Sequence, residues 1–145
     1  LSSDDPVIPD FDRISTAGIA RRGEFYLVAK RIRGTSIGES WEFPGGKNRR
    51  EETPEMTLRR EYREELSIDV TVGRLLFTSS FENRGTTYLL VAYEVFLADE
   101  DPDFALVEHS QIAWKRLEQL QEMQMAASDR AIVTALSEAE QQTSR

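Results

Sequence analysis

The chain has 145 residues, 39% of them hydrophobic and 30% charged, with a formal net charge of −8; this is enough apolar content for one packed domain of ordinary size. The acidity excludes general attraction to polyanions, so nucleic acid polymers and anionic membranes are poor partners. There is no cysteine and His109 is the only histidine, which removes disulfides, thiolate chemistry and multi-histidine sites, so any metal must be a hard ion held by oxygen. No apolar run nears the roughly 20 residues of a membrane span, and the polar, acidic stretch LSSDDPVIPDFD is unlike a signal peptide, so a cytoplasmic location is expected.

In chain order, residues 1–12 read as a loose N-terminal arm with two prolines and several acids, and residues 13–145 as a single domain. Ile14 to Ala20 and Phe25 to Arg31 read as strands joined by a turn at Arg22-Gly23-Glu24. Residues 34–40 form a loop rich in Gly and Ser, and Trp41-Glu42-Phe43 is a short extended piece running into the sharp turn Pro44-Gly45-Gly46. Thr53 is a good helix N-cap and Pro54 suits the first helical position, so a helix is predicted to about Leu66. Ile68 to Phe81 and Thr86 to Leu97 read as two longer strands turning at Glu82-Asn83-Arg84-Gly85, and Ile112-Ala113-Trp114 as a short one, with Trp114 in the core. Ser128 or Asp129 is expected to cap a last helix through about Glu140, with Ile132, Val133 and Leu136 as its apolar stripe. The order β-β-turn-α-β-β-β-α suits an α/β fold with helices on the faces of a mixed sheet.

The informative stretch is Gly45 to Ile68, GGKNRREETPEMTLRREYREELSI. At ~100° per residue, Glu61, Glu64 and Glu65 fall within an arc of about 100°, at the boundary of the helix face that Leu58, Tyr62 and Leu66 would bury. Arg59 and Arg63 fall toward solvent. Carboxylates so spaced repel, by a few tenths of a kcal/mol per exposed pair (roughly), unless a divalent cation sits among them. Glu64-Glu65 alone would read as a solvated face. The full spacing changes that weighing: five residues separate Gly46 from Glu52, seven more precede Arg60-Glu61, and Tyr62-Arg63-Glu64-Glu65 follow directly.

This pattern resembles the signature of the Nudix hydrolases, with Gly46, Glu52, Arg60, Glu61, Glu64, Glu65 and Ile68 at matching positions. Ser67 stands where the family has glycine, and Tyr62 where an aliphatic residue is usual. Ser67 would have to adopt a glycine-like turn at a cost of about 1 kcal/mol. The lead-in Trp41-Glu42-Phe43-Pro44-Gly45-Gly46-Lys47, the segment Glu108-His109 with Trp114, and Ala127 to Val133 resemble the MutT-like branch, so the likeness covers roughly Ala17 to Leu136.

The resemblance implies the Nudix fold, an α/β/α sandwich with a central mixed sheet, and a Mg²⁺-dependent hydrolase with Mn²⁺ as a substitute. It implies that Glu61, Glu64 and Glu65 bind metal with the Gly45 carbonyl. The general base is Glu61, Glu64 or Glu108, since family members differ, and Glu108 is also a candidate extra ligand. Glu52 and Arg60 read as an ion pair that orients the helix carboxylates. Arg31, Phe43, Lys47, Arg84 and Asp129 are candidate substrate contacts, with Asp129 at the base-reading position; His109 reads as structural. The substrate expected is a nucleoside triphosphate, oxidised or non-standard, such as 8-oxo-dGTP, cut to a monophosphate and pyrophosphate in nucleotide pool sanitation. CTP or dCTP is the alternative. ADP-ribose and nucleotide-sugar hydrolases carry a proline after the signature, and none occurs between Glu55 and Asp101. Dinucleoside polyphosphate hydrolases tend to carry a tyrosine there, and Tyr88 lies too far along. A nucleotide-binding module without activity is the rival from another class, and such modules lose signature glutamates that this chain keeps. The partner is the nucleotide, and the chain is expected to be a monomer or homodimer.

Overall fold

The computed structural model describes residues 11–32 and 40–143. Residues 1–10 of the predicted arm and 33–39 of the predicted loop region lie outside the described residues. Strands β1 (Arg13–Arg22), β2 (Phe25–Arg31) and β3 (Trp41–Glu42) are followed by helix α1 (Pro54–Leu66). Strands β4 (Val70–Asn83), β5 (Thr86–Leu97) and β6 (His109–Lys115) come next, then helices α2 (Leu117–Gln121) and α3 (Ala127–Thr143).

Six strands form a sheet in the order β3-β2-β1-β5-β4, with β6 on β2. It is mixed: β1 runs parallel to β5, and the other ladders are antiparallel. Each face carries its own apolar cluster. Leu58, Tyr62 and Leu66 of α1 pack with Leu27, Val70 and Val95 on one face. On the other face Leu117 and Leu120 of α2 and Ile132 and Val133 of α3 pack with Ile19, Val28 and Leu90. Burying each of these leucine-sized side chains is worth roughly 1.5–3 kcal/mol. The result is the expected α/β/α sandwich.

The termini of α1 follow its sequence. Thr53 Oγ1 accepts from the Met56 amide at 3.2 Å and Pro54 opens the helix. At the other end Ser67 sits in the left-handed region, φ 59° and ψ 35°, and its amide donates to the Arg63 carbonyl. Tyr62 is accommodated by Gly18 on β1, where a Cβ would stand 2.3 Å from the phenol oxygen.

Several sequence expectations need correction. Asp12, assigned to the arm, is tied to Thr87 by two hydrogen bonds of 2.8 Å. The hairpin between β4 and β5 turns tightly on Arg84-Gly85, both at positive φ (52° and 81°), so Glu82 and Asn83 belong to β4. Strand β6 begins at His109, not Ile112, and α2 was not foreseen. Helix α3 begins at Ala127, and neither Ser128 nor Asp129 is its cap; Asp129 lies in the first turn and spends its carboxylate elsewhere.

One feature of the sheet positions the site. β1 and β2 pair only at Arg21↔Tyr26 and Arg22↔Phe25, then diverge. The segment from Trp41 to Asn48 fills the opening. Trp41 and Glu42 pair with β2. Farther on, the Gly18 amide donates to the Pro44 carbonyl at 2.8 Å, Gly46 and Thr16 exchange bonds of 2.8 and 3.1 Å, and the Asn48 amide donates to Ile14 at 3.0 Å. Backbones this close leave no room for a side chain: a Cβ on Gly45 would lie 2.2 Å from the Thr16 carbonyl oxygen.

Candidate active site

Arg60 organises the α1 side. Its Nε donates to Glu52 Oε2 at 2.6 Å and its Nη2 to Glu52 Oε1 at 2.9 Å, a bidentate pair. The same guanidinium reaches Glu61 at 2.8 Å, Glu64 at 3.2 Å and the Lys47 carbonyl at 3.3 Å. Glu52 also accepts from the Arg49 amide and the Thr57 hydroxyl. Hydrogen bonding to Arg60, above all, holds the Glu52 carboxyl at about 2 and raises the Arg60 guanidinium in turn. The expected ion pair is therefore present, and it fixes both the loop before α1 and two of its carboxylates.

Burial differs among the three predicted ligands. Glu64 is 48% exposed, whereas Glu65 is only 5% exposed and its Oε2 is buried with no hydrogen-bond partner. Burial first, then the charges of Glu61 and Glu42, pushes the Glu65 carboxyl well above the usual carboxylate range. Among the described residues no three acidic or imidazole side chains are already gathered around one point. The reason is local: Glu64 is turned outward to Arg60 and, at 3.6 Å, to Arg49.

The donor set fits a hard divalent cation. Glu65 presents an unpartnered buried oxygen and feels the charges of Glu61, Glu42 and Glu108. Gly46 faces Glu61 so closely that a Cβ would meet its carboxyl carbon at 2.6 Å. Between the engaged carbonyls of Pro44 and Gly46, that of Gly45 accepts no hydrogen bond among the described residues.

Across the Gly45-Gly46 segment lies a cleft of about 530 Å³. Arg31, Phe43, Lys47, Arg84 and Asp129, all five candidate substrate contacts, line it together with Gly45 and Gly46. Phe43 is buried at its floor as part of the core, and its amide donates to Asp129 Oδ1 at 3.0 Å. Burial pushes the Asp129 carboxyl up to about 7; the Phe43 amide opposes this and the Glu42 charge adds to it. Glu61, Glu64, Glu65 and Glu108 are not part of this lining. Glu108 is exposed, with its charge acting on both Arg31 and Glu65.

Sequence reasoning missed two features. Phe81 and Tyr88, directly paired across β4 and β5, stack with ring centroids 5.0 Å apart and form an aromatic wall, with the Lys47 ammonium 5.0 Å from the Tyr88 ring. Counting back from the two-residue Arg84-Gly85 loop would have found the pair. Glu42 was passed over as well. Its Oε1 takes the Arg31 guanidinium at 3.0 Å and its Oε2 meets His109 Nε2 at 2.9 Å. His109 is buried.

A metal-compatible carboxylate helix beside an aromatic, cation-lined cleft is what a hydrolase of anionic nucleotides needs, and comparison with known proteins decides the family. The NUDIX domain matches residues 12–136. The chain belongs to the Nudix hydrolase family. It is therefore a hydrolase acting on phosphoanhydride bonds, in a family that acts on nucleotides and generally uses divalent metal ions. It is 33% identical over 129 residues to the "Putative 8-oxo-dGTP diphosphatase 2" of Mycobacterium tuberculosis, covering 87% of this chain and 89% of that protein. It is 32% identical over 123 residues to the CTP pyrophosphohydrolase of Escherichia coli, covering 82% and 87%. The solution structure of the E. coli ORF135 protein superposes with a TM-score of 0.77 at 28% identity, covering 88% and 90%. Among the described residues no helix of this Nudix chain is long and apolar enough to cross a membrane.

Proposed function

We propose that the chain is a MutT-like nucleoside triphosphate pyrophosphohydrolase that removes an oxidised nucleotide such as 8-oxo-dGTP, releasing the monophosphate and pyrophosphate. The observation that carries this reading is Asp129: a carboxyl raised to about 7, fixed by the Phe43 amide, on the wall of the cleft. When protonated it donates to O6 of 8-oxoguanine while accepting from N7–H, a hydrogen that guanine lacks. Phe43, Phe81 and Tyr88 supply the apolar surface for the base, and Arg31, Lys47 and Arg84 the cations for the phosphates.

Glu61, Glu64, Glu65 and the Gly45 carbonyl hold Mg²⁺ in this reading. Bound there, the ion screens the phosphate oxygens and lowers the pKa of the attacking water. Arg60 keeps Glu61 and Glu64 oriented, as its bonds to both support. A glutamate, Glu61, Glu64 or Glu108, takes the proton as water attacks the α or β phosphorus in line.

The ionised form of Asp129 favours a second substrate. It can only accept, which suits the exocyclic amine of cytosine, and the E. coli relative carries the name CTP pyrophosphohydrolase. A substrate panel with Mg²⁺, run in ¹⁸O-water with products separated and weighed, tests the whole reading. Monophosphate and pyrophosphate are expected, with label on one of them. Diphosphate and orthophosphate as main products would refute it.

A further inference from the structure

A second cleft, of about 480 Å³, opens beside the first and is lined by Phe11, Asp12, Arg13, Ile14, Asn48, Arg49 and Arg50. The two share a wall. Residues Gly46 and Asn48 are bonded along β1, with the Lys47 side chain over Tyr88 in the first cleft and Asn48 in the second. Three arginines face one aspartate here, in a chain whose net charge is −8. Asp12 accepts from the Thr87 amide at 2.8 Å and makes no ion pair with these arginines among the described residues. Arg50 has no hydrogen bond or ion pair among the described residues, and Arg13 reaches only the Asn48 carbonyl, at 2.9 Å. All three arginines are exposed.

The backbone that carries Arg49 and Arg50 is fixed. Arg49 and Arg50 ride a tight turn in which Glu51 takes φ 69°, and Glu52 locks that turn by accepting the Arg49 amide at 2.7 Å while gripping Arg60. Arg49 meets Glu64 of the carboxylate helix at 3.6 Å. The cationic cleft thus adjoins the carboxylate helix, and Asp129 is not part of its lining. Arg13 and Arg50, which make no ion pair among the described residues, suit an oxyanion of high charge, and arginine forks match phosphate geometry.

We propose that this cleft is an anion subsite that receives pyrophosphate, the fragment that leaves when a nucleoside triphosphate is cut to its monophosphate. It rests on the reading of function above. With the nucleoside against Asp129 and the phosphate chain running past Lys47, the distal phosphates point toward Arg49 and Arg50. Arg13 and Arg50 then hold the departing fragment through its outer oxygens.

The test measures pyrophosphate and nucleoside monophosphate separately. Each is used as a product inhibitor with Mg²⁺ present, and pyrophosphate binding is also followed by calorimetry, in wild type, Arg50→Gln, Arg13→Gln/Arg50→Gln and Arg50→Lys. The expected result is pyrophosphate held about tenfold more weakly in the double variant, partial recovery in Arg50→Lys, and unchanged monophosphate inhibition and melting temperature. Pyrophosphate held equally by all four, or an equal loss of monophosphate, overturns the subsite. The calorimetry keeps the two readings apart. A chain that binds pyrophosphate through Arg50 yet cleaves no triphosphate would leave the cleft standing and remove the proposed function.

Discussion

On the α1 side of the site, one arginine gathers Glu52, Glu61 and Glu64 within a short stretch of chain. On the α3 side, a carboxylate meets a backbone amide 86 positions away and is partly neutralised by its burial. The first arrangement is carried by a single helix and the loop before it. Its geometry follows from 3.6 residues per turn once Thr53 caps the helix. The second exists only after β3 and α3 have been brought together by the sheet. Proximity in sequence therefore lets the metal-compatible half form from one helix and its lead-in, whereas the half facing the base depends on the packing of distant elements.

The largest effect that can break this comparison is on the α1 side. Glu64→Gln preserves size at an exposed position, so the melting temperature should stay within about a degree of wild type, because surface changes of this kind are usually within about 0.5 kcal/mol. Turnover should fall about a hundredfold or more, and a chelator should abolish wild-type activity until Mg²⁺ or Mn²⁺ is restored. Full turnover in the variant, or in chelator, removes the carboxylate helix from the mechanism.

The same contrast explains what could be read in advance. Gly46, Glu52, Arg60, Glu61, Glu64 and Glu65 were legible because their full spacing resembles the Nudix signature, and because the helical positions of the three glutamates place them on one arc. The Glu52–Arg60 pair and the left-handed Ser67 were implied by the same resemblance, and both are present. The inward turn of Glu65 and the outward turn of Glu64 were not, since both lie near one helical arc and only the packed sheet separates them. Asp129 read as a helix cap because local chemistry favours that role. Its true partner, the Phe43 amide, becomes available only where Trp41 to Asn48 crosses the gap between β1 and β2. Glu42 escaped notice for the same reason, as Arg31 and His109 flank it only in three dimensions.

A smaller effect sharpens the comparison from the α3 side. Asp129→Ala should compress the kcat/KM ratio of 8-oxo-dGTP over dGTP by about 1–3 kcal/mol, with kcat on a poor substrate little changed. The raised carboxyl gives a pH signature as well. In the unfolded chain Asp129 ionises near its ordinary value of 3.8, and in the fold near 7. It therefore costs no stability below the lower value, costs progressively more as the pH rises between the two, and costs a constant amount above the upper one. Asp129→Asn should flatten that decline. Binding follows the same proton: the preference for 8-oxo-dGTP over CTP should fall as the pH passes through 7 in wild type and stay level in Asp129→Asn. A preference that keeps its pH dependence in the variant assigns the titration to another group.

The smallest effect tests how the carboxylate helix ends. Ser67 holds φ 59° with a Cβ, and left-handed backbone costs a residue other than glycine roughly 1–2 kcal/mol. Against this, Ser67 Oγ donates to the Ala105 carbonyl at 3.3 Å, an exposed bond of little net worth, and a glycine loses more freedom on folding than a serine does. The balance predicts that Ser67→Gly gains about 0.5–1 kcal/mol, seen as a rise in melting temperature of roughly 1–4 °C for a chain of this size. Ser67→Ala separates the two contributions, because it removes the hydroxyl and keeps the strained Cβ; it should be neutral or slightly destabilising. If both variants destabilise the fold equally, the hydroxyl outweighs the backbone strain, and the departure from glycine at this position is a stabilising contact to the segment before β6. Activity in Ser67→Gly should match wild type either way, since Ser67 lies past the last carboxylate of the helix and touches none of them.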